Sequence, residues 1–282
     1  MSALPGPAAG EAPPRDTTRP LAFLPAARGV FGLALEGMVW SRRSLLMAVL
    51  LGLPVVFALL YRGFLVAKVP ARVTGLDLYA IIVAVYYVRN VLPLAALFYA
   101  TSLIADEVEG RTLTYLLTRP LPRPAILAGK FAAYLGTTLA LTLPALVATF
   151  LLLATARGFA GIGTAVPELF RDMGVVALAL ASYGALFTLL GVVLRRPVIP
   201  GLLFLFVWEL VVHIPGYLPR LTLTGWLGSL VHHQPAEEGL AGLFQRQVLP
   251  VGEGLVVLLA ASALFLALSV WVFSRREYVM EQ

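Results

Sequence analysis

Residues 106–130 read DEVEGRTLTYLLTRPLPRPAILAGK, and this charged, proline-rich stretch lies directly between two long apolar segments. Each neighbouring segment has about the 20 apolar residues that a helix needs to cross a hydrocarbon core. The whole chain of 282 residues is 60% hydrophobic and only 13% charged, which is too apolar for an ordinary soluble domain. We therefore expect an all-α, polytopic membrane protein in which residues 106–130 form a loop between two spans.

The apolar runs predict six transmembrane helices, at residues 44–61, 78–105, 126–154, 174–194, 198–212 and 255–273. The second contains Arg89 and is expected to kink at Pro93. The fifth is short and contains Glu209. An ionisable group inside a span usually faces a cavity or a partner. Glu209 therefore either lines a route through the membrane or pairs with Arg89, unless the fifth span is shifted and leaves it near the outer interface.

Two segments precede the first span. Residues 1–20 are rich in Pro, Ala and Gly, and we expect them to form a disordered tail. Residues 21–40 have apolar positions at helical spacing, interrupted by Arg28 and Glu36. This pattern predicts a helix in the membrane interface that ends at Trp40, with Arg42 and Arg43 at the level of the phosphates. The alternative is that this helix simply extends the first span.

The basic residues predict the orientation, because Lys and Arg near span ends favour the cytoplasmic side. Six spans place both termini on one side. The basic pairs next to span ends, at 42–43, 195–196 and 275–276, all fall on that side together with the 106–130 loop. We therefore expect both termini and the loop to be cytoplasmic. The net charge of +6 is attributed to these loops and not to nucleic-acid binding.

Within the loop, the acids Asp106, Glu107 and Glu109 favour a helix N-terminus, where the helix dipole is positive. The leucines that follow fall on one helical face. Pro120 is expected to end this helix, and Pro122 and Pro124 to keep the return segment extended. The loop is thus predicted to present a short amphipathic helix near the membrane surface.

This order of residues resembles the cytoplasmic coupling helix of the permeases of ABC type-2 exporters, which joins their second and third spans. In that family the pattern runs as two acids, Gly, Thr-Leu, two residues, Leu-Leu, Pro, Arg and finally Gly-Lys. This chain has each member of the pattern, at Glu107, Glu109, Gly110, Thr112, Leu113, Leu116, Leu117, Pro120, Arg123 and Gly129-Lys130. Arg111 and Pro122 depart from it.

The resemblance implies a function for the chain and for these residues. Residues 21–282 would be one permease domain in the plasma (inner) membrane, paired with a second permease copy or a paralogue around a translocation pathway. The coupling helix, with the pattern residues from Glu107 to Lys130, would dock on a separate cytoplasmic ABC ATPase that carries the ATP and Mg. The chain would contain no cofactor, no metal and no catalytic residue, and Glu209 and Arg89 are candidate pathway residues. No G-x-x-x-x-G-K-[ST] phosphate loop occurs in the sequence.

Other interpretations remain open at this stage. Asp106, Glu107 and Arg111 fit the E-E-x-x-x-R pattern of intramembrane Glu-dependent proteases of the CAAX-processing type, although no F-x-x-x-R segment accompanies them. A membrane scaffold without transport is a third hypothesis, with the loop as a solvated connector. His232, His233, Glu237 and Glu238 are close in sequence, but a solvated loop explains them better than a metal site.

Overall fold

The structure is a computed structural model that describes residues 22–39, 41–68, 73–103, 122–156, 158, 162–194, 196–208, 218–231 and 250–275. All regular elements within these ranges are helices. Five of the helices are long and apolar enough to cross a membrane. The chain is therefore an all-α, polytopic membrane protein, as the sequence predicts.

The elements follow the predicted order along the chain. They are the N-terminal helix (Phe23–Val39), the first span (Arg42–Val66), the second span (Gly75–Ala100), the third span (Arg123–Ala154), the fourth span (Ile162–Val193), a fifth helix (Val198–Leu203, continued by π-helical Phe204–Trp208), a 3-10 turn (Leu218–Leu221), a short helix (Leu223–Leu230) and the last span (Val251–Arg275).

The N-terminal helix is separate from the first span. Ser41 has extended backbone angles (φ −80°, ψ 149°), and its side chain accepts a hydrogen bond from the amide of Ser44 at 3.1 Å. A serine in this conformation is a preferred N-cap and starts a new helix. The alternative in which residues 21–40 extend the first span is therefore wrong. The N-terminal helix packs mainly on the third span.

The second span is not a uniform α-helix. It begins at Gly75 behind Thr74, which forms a capping box with Asp77. It is π-helical over Ile82–Val91 and α-helical again over Leu92–Ala100. Pro93 is the second residue of this last segment, and because it has no N–H it cannot donate the helix bond to a carbonyl of the preceding turn. The interruption expected at Pro93 is thus a π-helical segment that ends just before it.

Several helix boundaries differ from the sequence predictions, and two of these differences have a clear physical cause. The fourth span begins at Ile162 and not at residue 174, because Glu168 and Arg171 lie on exposed positions of a helix that the apolar pattern alone cut short. Pro124 lies in the first turn of the third span and not in an extended segment, since proline is well tolerated there. The fifth helix is described only to Trp208, so six spans are not confirmed within the described ranges.

The fourth span lies at the centre of the bundle and is its most buried membrane helix, whereas the last span is the least buried. Hydroxyl groups join the spans inside this core. Tyr134 of the third span donates to the carbonyl of Leu180 at 2.8 Å, and Ser262 of the last span donates to Ser182 at 3.0 Å. Bonds between helices of this kind satisfy polar groups where no water is available.

The contacts also show which helix ends lie on the same side of the bundle. Tyr99, near the end of the second span, donates to Ser44, at the start of the first span, at 2.7 Å. On the opposite side, the Arg62 guanidinium near the end of the first span donates to the Thr155 hydroxyl at 2.7 Å, just after the end of the third span. The first three spans thus alternate in direction.

Candidate functional site

The site formed by the described residues on either side of positions 104–121 is built around Lys130. This lysine is only 6% exposed, and its Nζ donates a hydrogen bond to the carbonyl oxygen of Leu103 at 2.6 Å. Leu103 lies three residues beyond Ala100, the last residue of the second span. The buried ammonium group therefore ties the segment just after the second span to the third span.

Arg123 makes the corresponding contact on the other side of the same site. Its Nη1 donates to the carbonyl oxygen of Ser274 at 2.8 Å, in the last turn of the last span. Arg275, in that same turn, lies over the ring of Trp271 at 4.5 Å from the ring centroid. Two cations of the third span thus bind backbone carbonyls of other segments, Lys130 just after the second span and Arg123 in the last turn of the last span.

Gly129 brings the N-terminal helix against this site. A Cβ atom at Gly129 would lie 2.5 Å from the carbonyl oxygen of Ala27 and 3.0 Å from the Cβ of Val30. The two backbones therefore approach more closely than any side chain at this position would allow. The base of the loop consequently joins four helices: the N-terminal helix and the second, third and last spans.

Two of the ten coupling residues predicted from the sequence are described by the structure, Arg123 and Lys130. Lys130 is turned into the bundle, where its Nζ donates to the Leu103 carbonyl. The other predicted coupling residues lie outside the described residues: Glu107, Glu109, Gly110, Thr112, Leu113, Leu116, Leu117 and Pro120. Glu209, the protease-like Asp106 and Arg111, and the four residues of the 232–238 histidine cluster also lie outside them.

Arg89, the described candidate pathway residue, lies near the middle of the membrane. It is 14 residues from Gly75 and 11 residues from Ala100, the two ends of the second span, which corresponds to roughly 21 and 16 Å along a helix. Arg89 is partly exposed, and the neighbouring Asn90 is exposed. The Nδ2 of Asn90 donates to the carbonyl oxygen of Val85 at 2.6 Å, so it satisfies the backbone of the π-helical segment.

One buried acid was not identified from the sequence. Asp172, in the fourth span, is 1% exposed and interacts with the hydroxyl of Tyr79, in the first turns of the second span. The sequence analysis missed it because the fourth span was predicted to begin two residues later. The signal was an acid between Leu169 and Val175, two apolar residues at helical spacing that are both buried.

A protein-family model described as ABC-2 family transporter protein matches residues 79–278. The match covers more than half of the chain, from the second span to the end of the last. The chain belongs to this family. It is a multi-pass membrane component of ABC transport, as the loop residues led us to expect from the sequence. No curated protein matches the chain.

Membership in the ABC-2 family places the described contacts in a transporter. The matched region contains the 106–130 loop, its anchors Arg123 and Lys130, and the intramembrane Arg89. Components of this family take part in transport and are generally not catalytic themselves, and partnership with an ABC ATPase is general in the family. Within the described ranges, no group of three or more metal-ligating side chains is brought together.

Proposed function

We propose that this chain is the permease subunit of an ATP-driven exporter and that a separate cytoplasmic ATPase docks on residues 106–130. The observation that carries the proposal is the ABC-2 family match, which spans both the loop and the membrane helices around it. No phosphate loop occurs in these 282 residues, which supports an ATPase outside them as the source of energy. ATP and Mg would be bound by that partner.

The base of the loop supports a mechanism for coupling. A displacement of residues 104–121 would pull on Leu103 and Pro122, the residues next to this segment. Leu103 is bound by the anchor Lys130, and Pro122 directly precedes the anchor Arg123. Through these anchors the displacement reaches the second, third and last spans, because one cation binds a carbonyl just after the second span and the other binds one in the last span. Close-packed helices transmit such shifts as rigid bodies instead of absorbing them. Closure of an ATPase beneath the loop would therefore move several spans together.

The orientation belongs to the proposal as well. The structure brings the start of the third span against the ends of the second and last spans. The basic residues Arg43, Arg123, Lys130, Arg196 and Arg275 lie at the ends that share this side. The excess of basic residues favours the cytoplasm for it, and we assign both termini to the cytoplasm and the chain to the plasma membrane.

The pathway is assigned to the exposed side of the second span. A guanidinium and an amide side chain halfway across a bilayer are costly when they face lipid tails. Arg89 and Asn90 therefore mark the face that a second permease copy or a paralogue covers, with the translocation route between the subunits. The exposed apolar surfaces of the first and last spans, by contrast, suit direct contact with lipid.

Co-purification from native membranes tests the proposed function. The full-length chain should retain a soluble ATPase with a phosphate loop, and Leu116→Asp should abolish this association because a charge disrupts the apolar ridge of the loop. The matched control is Leu221→Asp, which places the same change on a 64% exposed leucine at the other side of the bundle. Retention of the ATPase by Leu116→Asp, or its equal loss in Leu221→Asp, would refute docking through the loop.

A further inference from the structure

The exposed side of the second span carries one polar patch in an otherwise apolar surface. Ile81, Val85 and Phe98 are 37–39% exposed on this side, and Arg89 and Asn90 lie between them. The opposite side of the π-helical segment, which includes Val83, Tyr87 and Val91, is buried in the bundle. The patch therefore faces away from the core of its own chain, close to the middle of the membrane.

Arg89 and Asn90 differ in what they have left to bind. The amide of Asn90 is used within the helix, since it donates to the Val85 carbonyl. Within the described ranges, no residue forms a hydrogen bond or an ion pair with the Arg89 guanidinium. The neutral side chain thus stabilises the π-helical backbone, while the five N–H donors of the charged one are directed to something outside the described residues.

No described acid lies at the depth of Arg89. The described carboxylates are Glu36 in the N-terminal helix, Asp77 and Glu253 in the first turns of their spans, and Glu168 and Asp172 six and ten residues into the fourth span. Asp77 is 12 residues from Arg89 on the same span, about 18 Å along a helix. Glu168 and Asp172 lie towards the same end of the second span, opposite Tyr79. Among the described residues, no carboxylate therefore lies beside Arg89.

We propose that Arg89 is an anion-binding site of the translocation pathway and that the exported substrate carries a carboxylate or phosphate group. This inference rests on the proposed function, because it needs a pathway beside the second span. A guanidinium binds either anion through two parallel N–H donors and stays charged at any physiological pH. The π-helical backbone around Arg89 sets the direction of its side chain.

The absence of cysteine from the sequence allows a direct test in the full-length chain. Val85→Cys places a thiol about one turn from Arg89 on the same exposed side. Leu264→Cys is the matched control, because Leu264 is 57% exposed and also lies near mid-membrane, 13 residues from Val251 and 11 from Arg275. Each variant is reacted in membranes with an anionic and a cationic methanethiosulfonate reagent, and the two rates are compared.

We expect Val85→Cys to react much faster than Leu264→Cys, because water reaches only the pathway side. We also expect the ratio of anionic to cationic rates at Val85→Cys to fall about tenfold or more when Arg89→Gln is added, the order that one charge within ~7 Å produces in largely aqueous surroundings. Arg89→Lys should keep the ratio high. Equal rates at the two positions, or a ratio unaffected by Arg89→Gln, would overturn the proposal. The second result would follow if Glu209 neutralised Arg89, and Glu209→Gln would then raise the ratio.

A phosphate group could belong to a lipid or to a free anion, and the same assay separates these sources. If added inorganic phosphate slows the labelling of Val85→Cys by the anionic reagent, the site binds a free anion. If labelling is slower in phosphatidylcholine vesicles that contain phosphatidylglycerol than in vesicles without it, the site binds a lipid headgroup, provided that Arg89→Gln abolishes this difference. The labelling needs no ATPase, so an unaltered rate ratio overturns the anion site alone. Failure to co-purify an ATPase overturns the proposed function and the assignment of Arg89 to a pathway, while the rate ratio still shows whether Arg89 attracts anions.

Discussion

Replacing Gly129 by alanine should loosen the N-terminal helix from the base of the loop. The added Cβ would lie 2.5 Å from the carbonyl oxygen of Ala27, 3.0 Å from the Cβ of Val30 and 3.2 Å from the amide nitrogen of Phe31. Two of these three atoms belong to the backbone, so neither helix can yield by a change of rotamer. Forcing extra volume into a packed contact of this kind costs about 1–3 kcal/mol.

Gly136 is the matched control on the same helix and against the same neighbour. A Cβ there would lie 3.7 Å from the ring of Phe31, which is an ordinary contact. Alanine is favoured over glycine in a helix interior by about 1 kcal/mol, and this gain applies to both positions. Gly136→Ala should therefore be neutral or slightly stabilising. Gly129→Ala should be about 2 kcal/mol less stable than Gly136→Ala.

The assay is unfolding of the full-length chain in detergent micelles by increasing amounts of SDS, followed by circular dichroism. The midpoint of Gly129→Ala should shift to less SDS, while that of Gly136→Ala stays at or above the unmodified protein. Limited proteolysis should release the N-terminal helix only in Gly129→Ala. Identical midpoints for the two variants would refute the close packing of this helix on the third span.

Two further predictions concern the cations at the base of the loop. Lys130→Met keeps the apolar part of the side chain but removes the hydrogen bond to the Leu103 carbonyl. It should lower the free energy of unfolding by about 1–3 kcal/mol in the same SDS titration. An unchanged midpoint would show that the cost of desolvating the ammonium group cancels the gain from its hydrogen bond. Arg123→Gln should change stability by less than ~0.5 kcal/mol, because its bond to Ser274 is exposed, yet it should reduce transport-coupled ATP hydrolysis in proteoliposomes. Unchanged coupling in Arg123→Gln would contradict transmission through the last span.

The membrane helices could be predicted from the sequence because their signal is local. An apolar run of span length has to satisfy its backbone bonds internally, so length and hydropathy are enough to find it. The same reasoning failed where polar residues extend a helix beyond the apolar run, as at the start of the fourth span. It favoured a helix break before the first span but left a continuous helix open, because the deciding feature at Ser41 is a backbone conformation.

The site was only partly predictable, because sequence patterns do not show which direction a side chain takes. The resemblance grouped Lys130 with the coupling residues, and the structure buries it against the end of the second span. The partner of Arg123 is 151 positions away in the sequence, at Ser274, and no local pattern could indicate it. Arg89 was identified because a charge inside a span is conspicuous, whereas the π-helical segment that presents it has no sequence signature.

Photo-crosslinking from position 116 in living cells tests the central claim most directly. A photoreactive amino acid replaces Leu116 in the full-length chain, and the crosslinked product is identified by mass spectrometry. The account predicts an adduct with a soluble ATPase that contains a phosphate loop, formed from position 116 and absent when the same residue is placed at position 221. Two results would contradict docking of an ATPase on the loop: crosslinked products that contain no ATPase, or labelling of position 116 by a reagent confined to the outside of the cell.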